Sequence, residues 1–370
     1  MMDCDVHVLG AGIVGRSLAL SLARAGLRVA LRAEPARSGG EDVRAYALNA
    51  ASVALLRGLK VWDALPRTAA TPVLDMHVKG DANESAIDFS AWQQRVGALA
   101  WITDAAVLER ELASAVRFAP HVTVVEPDAP VRAALTAVCE GKTSTTRAAF
   151  GIGFERHDYG HQAIAARLTS TRAHQGVARQ WFRAPDVLAL LPFDTPQPEH
   201  SYGLVWSLPS ERAQALLALA PAEFEHALME ATGGDAGPLA LASERAAWPL
   251  MQAQAQAWCG PGWVVLGDAA HVVHPLAGQG LNLGLADVAA LVGVIAQREP
   301  WRALGDEKLL RRYARERVAP TWAMAQVTDG LLKLFSTEVP AVRELRNRGL
   351  TLVNRLSPLK RWLTARALDA

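Results

Sequence analysis

Apolar positions along the chain switch between short runs typical of buried strands and a helical period. Val6-His7-Val8-Leu9 has the first character, and beyond Gly10-Ala11-Gly12-Ile13-Val14-Gly15 the residues Leu18, Leu20, Leu22 and Ala23 continue helically to Gly26. Leu27-Arg28-Val29-Ala30-Leu31 reads as a second strand, so this stretch predicts strand, glycine turn, helix and parallel strand. Strands are also predicted at Asp75-Met76-His77-Val78, at Ala86-Ile87-Asp88-Phe89 and from Val122 to Val125. Thr103-Asp104 has the form of an N-cap for a helix carrying Val107, Leu108, Leu112 and Val116. Phe154 to Leu168, Ala178 to Phe182, Leu190 to Phe193 and Leu204 to Pro209 follow as successive strands, which makes a sheet domain. Trp263-Val264-Val265-Leu266 is a further buried strand, and after a long loop Leu283 to about Ala296 is an apolar helix. From Leu309 the period stays helical, with Ser357-Pro358 as a fresh N-cap and first-turn proline. The expected class is α/β with α+β elements.

Two glycine-rich loops between strand and helix carry the candidate chemistry. In the first, Gly10 makes the turn, Gly12 lets the backbone approach a pyrophosphate and Gly15 lets helix pack on strand, the arrangement of a dinucleotide site. In the second, Gly278 and Gly280 keep side chains away from a ligand, and the helix that follows aims free N–H groups and a partial positive charge at it. Asp268, at a strand end, is placed to accept hydrogen bonds from sugar-like hydroxyls. An acidic residue is expected at the end of the second strand to hold the adenosine ribose. Glu34 lies nineteen residues after Gly15 but one step beyond the usual place, Ala33, and strand side chains alternate faces.

Gly267-Asp268-Ala269-Ala270-His271, with His274-Pro275-Leu276-Ala277-Gly278-Gln279-Gly280-Leu281-Asn282, resembles the second FAD motif of the flavoprotein aromatic hydroxylases related to p-hydroxybenzoate hydroxylase. It is most similar to the ubiquinone-biosynthesis hydroxylases. Asp42-Val43-Arg44-Ala45-Tyr46-Ala47-Leu48-Asn49, Asp158-Tyr159-Gly160-His161-Gln162-Ala163 and Thr328-Asp329-Gly330-Leu331-Leu332 are similar to other segments of that family. The resemblance runs from Val6 to about Ala367 and is weakest between residues 65 and 150.

The resemblance implies a Rossmann-like FAD-binding domain (residues 1–70, 101–153 and 251–300) interleaved with a β-sheet substrate domain (71–100 and 154–250) and followed by C-terminal helices (301–370). It implies FAD held by Gly10, Gly12, Gly15, Glu34, Arg44, Asp268, Gly278, Gly280, Leu281 and Asn282, with Pro275 and Gly280 in the flavin environment as the catalytic positions. Asp268 would contact the ribityl and pyrophosphate region, and backbone groups of Gly280, Leu281 and Asn282 the pyrimidine side of the isoalloxazine. The implied reaction is hydroxylation of a prenylated phenol or quinone precursor in ubiquinone biosynthesis. NAD(P)H reduces the flavin, O₂ adds to give a C4a-hydroperoxide, and its distal oxygen passes to the ring. The family's central Asp-Gly-x-x-Ser-x-x-Arg motif is altered here to Glu140-Gly141-Lys142-Thr143-Ser144-Thr145-Thr146-Arg147 after a shortened approach. That change keeps two alternatives open, a flavin-binding quinone-pathway scaffold with lost or reduced oxygenation and a flavin reductase on the same fold.

Composition adds limits. Of the 370 residues 51% are apolar and 20% charged, with no run of eighteen uncharged apolar residues, so a large soluble core without a transmembrane helix is expected. The entry from the N-terminus straight into a strand pattern, without a basic region and cleavage site, predicts no signal peptide and a cytoplasmic protein. Cys4, Cys139 and Cys259 have neither C-x-x-C nor metal spacing, and His271 and His274 are read as positioning the loop, so no metal site is expected. No nucleic-acid partner is expected. From Arg302 to Ala370 there are 14 Lys/Arg and 7 Asp/Glu, against a net charge of +1 for the whole chain. With Leu352, Val353, Leu356, Leu359, Trp362 and Leu363 beside Arg355, Lys360, Arg361 and Arg366, this basic amphipathic end suits the inner face of an anionic membrane, or ubiquinone-pathway proteins. Packing of the same helices on the domain is the alternative.

Overall fold

The computed structural model describes residues 2–33, 42–80, 86–273 and 278–336. The Val6–Leu9 pattern lies within the strand Met2–Leu9, which sits inside a six-stranded sheet. Its order is Cys259–Gly260, Trp263–Val265, Val131–Val138, Met2–Leu9, Val29–Arg32, Val122–Val125. The last five run parallel, and only Cys259–Gly260 is antiparallel. Parallel strands joined by crossover helices are covered by those helices and read as continuous apolar runs. Val6, Val8, Leu31, Leu135, Ala137 and Val264 are accordingly buried to 1% or less. The helix Ile13–Arg24 packs against Ala105–Arg117 and Gln279–Ala296. Asp104 caps Ala105–Arg117 as expected, its side chain accepting from the Val107 N–H at 3.0 Å.

The second sheet is mostly antiparallel. Its order is His271–Val272, Ala246–Ala255, Phe154–Ser170, Ser201–Pro209, Asp186–Phe193, Val177–Arg183, Asp75–Lys79, Ala86–Ser90, with Leu239–Leu241 also on Phe154–Ser170. Ile164, Ala166, Leu168, Trp206 and Leu208 form one core with Ala213, Leu216, Phe224 and Leu228 of the helices Ser210–Ala218 and Pro221–Thr232. Strand side chains alternate, so Ala163, Ala165 and Arg167 occupy the opposite face. That face looks toward the strand Ala45–Leu48. The Arg167 Nη2 donates to the Arg44 carbonyl (2.8 Å), and a Cβ on Gly203 would stand 3.3 Å from the Ala45 Cβ. Ala45–Leu48 belongs to a third sheet with Ala100–Asp104 and Ala70–Val73. The chain passes back and forth between the sheets, which is the interleaved architecture the sequence predicts.

Two boundaries differ from expectation. The second loop's helix is Gln279–Ala296, beginning inside the motif, because Gly278 takes the left-handed conformation (φ +63°) and ends the loop there. Gly280 and Leu281 therefore lie in the first helical turn. The C-terminal helix is Glu307–Ser336, opened by Asp306, which accepts from the Leu309 N–H (3.1 Å). The expected break at Ser357-Pro358 and the basic stripe around it lie outside the described residues. Gln279–Ala296 is long and apolar enough to cross a membrane by length and composition alone. Here it is a core helix, with Leu285, Val288 and Leu291 buried and the Asp287 side chain completely enclosed.

Candidate active site

The glycines of the first loop serve different needs. Gly10 has φ +103°, and a Cβ there would come within 2.5 Å of the Cys139 carbonyl oxygen. At Gly15 a Cβ would fall 1.8 Å from the Gly10 carbonyl oxygen, so these two glycines close the turn and seat the helix on it. Gly12 is under neither constraint. Its φ is −76°, any side chain would meet nothing within 4 Å, and no side chain caps the helix it begins. Its lack of a side chain keeps open the approach to a helix N-terminus that has unpaired N–H groups and partial positive charge. Gly280 repeats this at the second helix, where again nothing lies within 4 Å and no side-chain cap exists.

The two loops touch at Val14. After Trp263–Val265 the chain makes a 3-10 turn, Gly267–Ala269, in which Gly267 has φ +58°. A Cβ on Gly267 or Gly284 would come within 3.2 or 2.8 Å of a Val14 methyl. Asp268 leaves this turn exposed to solvent, yet the surrounding protein desolvates its carboxyl and pushes its pKa up, against the attraction of His271, Lys142 and Arg44. A group both open and hemmed in lies on the floor of a cleft. Tyr46 lines the same region, its phenol pushed up to about 12 by burial, with Arg44 opposing and Glu109 and Asp268 adding to the shift. Arg44 is beside the cleft but already committed. Its guanidinium donates to Asp42 (2.7 and 2.8 Å), Glu109 (3.3 Å) and the Tyr46 hydroxyl (3.0 Å).

Beneath the cleft is a polar scaffold. The enclosed Asp287 carboxylate accepts from the Gly267 N–H (3.0 Å), His271 Nε2 (2.6 Å) and the Arg317 Nε of the C-terminal helix (2.8 Å). Burial opposes its ionisation, but His271 and Arg317 outweigh burial and hold the carboxyl below its ordinary range. Trp258 stacks on the His271 ring, with centroids 5.1 Å apart. Arg147, buried and lying over the Phe154 ring, donates to the Ala269 carbonyl at 2.9 Å. Asn282 turns its side chain away from the cleft. Its Oδ1 accepts from the Asn49 N–H (3.0 Å) and Ser52 hydroxyl (2.8 Å), and its amide donates to the Ala47 carbonyl (2.8 Å).

The sequence profile of the FAD binding domain family matches residues 3–115 and 110–328. The chain belongs to that family. A ubiquinone hydroxylase of Rhodospirillum rubrum is 30% identical over 98% of this chain and 89% of its own length. The 3-demethoxyubiquinol 3-hydroxylase of Escherichia coli is 30% identical over 98% of both chains. Among solved structures, the p-nitrophenol 4-monooxygenase of Pseudomonas putida superposes with a TM-score of 0.79 over 100% of this chain and 99% of its own, at 18% identity, which shows the shared fold.

The flavoprotein cleft fits its cofactor on its own geometry. Two open, uncapped helix starts suit a pyrophosphate and an electron-rich ring edge, and a desolvated carboxylate between them suits sugar hydroxyls. Gly10, Gly12, Gly15, Gly278, Gly280, Leu281 and Asp268 are gathered there. The Asn282 side chain ties the second helix to residues 47–52, which leaves only its backbone available to a ligand. Glu34, His274 and Pro275 lie outside the described residues. Glu140, the altered residue of the central motif, is held within that motif. Its carboxylate accepts from the Ser144 hydroxyl (2.5 Å) and the Thr146 N–H (3.1 Å) and hydroxyl (2.8 Å), and pairs with Arg32. It supports the Ser144-capped start of the short helix Thr145–Ala149 and ties it to the second strand through Arg32. Sequence reasoning missed Asp287 and Arg317, because a charged residue within a helical period carries no mark of burial. Their only signal was an Asp in an otherwise apolar helix.

Proposed function

We propose that this flavoprotein uses NAD(P)H and O₂ to hydroxylate the aromatic ring of a prenylated phenol or related quinone precursor in ubiquinone biosynthesis. The observation that carries the reading is the cleft holding Asp268, between two uncapped helix starts and beside an apolar sheet face. The bound flavin supplies the redox chemistry linking nicotinamide, dioxygen and ring. The chain's part is to bind, orient and shield. Gly10 and Gly12 admit the pyrophosphate to the Ile13–Arg24 helix start, and Asp268 accepts hydrogen bonds from ribityl hydroxyls. Gly280 and Leu281 aim N–H groups at the ring edge where negative charge accumulates on reduction. Ala163, Ala165, Ala189 and Val205 offer a low, apolar surface for the substrate ring and help keep water out.

The names of the curated relatives support a quinone-pathway substrate. A peripheral membrane position is supported by the exposure of Trp322 (55%) and Val327 (56%) on the C-terminal helix, whose sequence continues into the basic segment. The test is the visible spectrum of the purified protein, then NAD(P)H oxidation with and without a short-chain prenylphenol. Bound flavin with phenol-stimulated oxidation and a hydroxylated product is expected. Bound flavin with phenol-independent oxidation and no product would replace this reading by a flavin reductase. Bound flavin that NAD(P)H leaves oxidised would replace it by a scaffold.

A further inference from the structure

We propose that His161 Nε2 is the hydrogen-bond acceptor for the ring hydroxyl of the aromatic substrate, an assignment that rests on the hydroxylase reading above. His161 follows a bulge in the long strand Phe154–Ser170, where the pairing register shifts between Asp158 and His161. From there the two-residue alternation puts it on the face of Ala163, Ala165 and Arg167, the face turned toward Arg44 and Ala45. Gln162 is on the other face, where it accepts from Gln214 Nε2 of the helix Ser210–Ala218 (3.0 Å).

The tautomer follows from the hydrogen bond. His161 Nδ1 lies 2.8 Å from the Tyr159 carbonyl oxygen, which can only accept, so Nδ1 is the donor and Nε2 is the ring's one acceptor position. That Nε2 is buried and has no partner among the described residues. A buried acceptor left without a donor is disfavoured and calls for an explanation, which a ligand hydroxyl supplies. Asp186, electrostatically coupled to His161, uses Oδ2 on the helix side to accept from Trp206 Nε1 (3.3 Å) and pair with Arg212 (3.2 Å), while its Oδ1 is buried without a partner and, as an acceptor, cannot serve Nε2. His7 also has a buried, unpartnered Nε2, but it belongs to the parallel sheet.

The surroundings suit a flat ring. Ala163 pairs with Ser207 on one side and Trp248 on the other, Ala165 pairs with Val205, which pairs in turn with Ala189, and His161 itself pairs with Leu250, so the surface beside His161 is an apolar floor of small side chains edged by Trp248 and Leu250. The flavin loop starts close by. His161 pairs with Leu250, and three residues along that strand Ala253 pairs with Val272, where the chain enters the loop leading to Gly278. An acceptor at the phenolic oxygen draws its proton away and leaves more electron density on the ring, which favours attack on an electrophilic oxygen. A methyl ether offers no proton and gains nothing.

The experiment measures binding to the FAD-loaded enzyme, by perturbation of flavin absorbance, for a short-chain prenylphenol and its O-methyl ether. Wild type should prefer the phenol by roughly tenfold or more, the value of a buried hydrogen bond. His161→Leu should bring the phenol down to the ether's affinity while FAD content and ether binding stay unchanged, and His161→Gln, which keeps an acceptor, should recover part of the preference. A His161→Leu enzyme that still prefers the phenol overturns the assignment. Equal loss of both ligands also overturns it, since that is the mark of a packing role. A wild type that binds neither ligand overturns the hydroxylase reading itself.

Discussion

Asp268 is costly to the ligand-free protein, and the desolvation responsible is what the FAD contact proposed for it would use. Its carboxyl pKa is raised by desolvation, so between the unfolded value near 3.9 and the raised folded value the native state holds a proton the unfolded chain has lost. Stability is therefore lost as pH rises through that window, and the deficit persists at neutral pH. Asp268→Asn should raise the melting temperature of FAD-free protein at pH 7 and flatten this pH dependence. The same variant should weaken FAD binding by about tenfold to a hundredfold, the value of hydrogen bonds to a charged acceptor. Thermal melts across pH and a FAD titration check both arms. Asp287 has the opposite sign. Its pKa is lowered, burial notwithstanding, by His271 and Arg317, so its stabilisation is present above the unfolded value and is lost as pH falls through the folded one. Asp287→Ala leaves Arg317 without its carboxylate and frees the Gly267 N–H. A loss of about 3–5 kcal/mol in urea unfolding is expected. Burial raises the thiols of Cys4, Cys139 and Cys259, so alkylation by iodoacetamide at neutral pH should be slow until the protein unfolds.

At the scale of elements, the central motif and the C-terminal helix both act on the Gly267–Ala269 turn from a distance. Glu140 organises the helix Thr145–Ala149, and Arg147 from that helix holds the Ala269 carbonyl. The change from Asp to Glu is thus accommodated by contacts within the motif. Glu140→Asp should cost about 1 kcal/mol by withdrawing the carboxylate from Arg32, with the rate of flavin reduction by NAD(P)H unchanged. A faster reduction would restore a role for this carboxylate at the nicotinamide. The C-terminal helix reaches the same turn through Arg317 and Asp287, and reaches the antiparallel sheet through Asp329, whose carboxylate lies 3.2 Å from the Tyr159 hydroxyl. Beyond it, replacing Arg355, Lys360, Arg361 and Arg366 by Gln should weaken salt-sensitive binding to anionic vesicles and slow turnover of a long-chain prenylphenol while sparing a short one. Intact vesicle binding after the replacement would remove the membrane proposal.

Across the whole molecule, the strands whose signals are local were legible, while others, Val131–Val138 and Ala246–Ala255 among them, were not read from the sequence. Val6–Leu9 and Trp263–Val265 are largely buried and read as mostly apolar runs, and Gly10 and Gly15 are demanded by backbone collisions that any strand-turn-helix of this form imposes. The site's scaffold was not legible in the same way. Asp287, His271 and Arg317 are separated by up to 46 residues and meet only in the folded chain, and nothing in a helical period tells an enclosed carboxylate from a surface one. Asn282 was drawn into the site by its motif, while its side chain was claimed by Asn49 and Ser52, more than two hundred residues away. Because FAD would bind the cleft only in the folded state, a hundredfold excess over its dissociation constant should add about 2.7 kcal/mol to stability. The central claim is oxygen transfer to an aromatic ring, and its most direct measurement uses isotopically heavy dioxygen. With FAD, NAD(P)H and a short-chain prenylphenol, product mass spectrometry should find one heavy oxygen atom in a new ring hydroxyl. Full consumption of NAD(P)H with the heavy label only in hydrogen peroxide and water, and the phenol recovered unchanged, would contradict it.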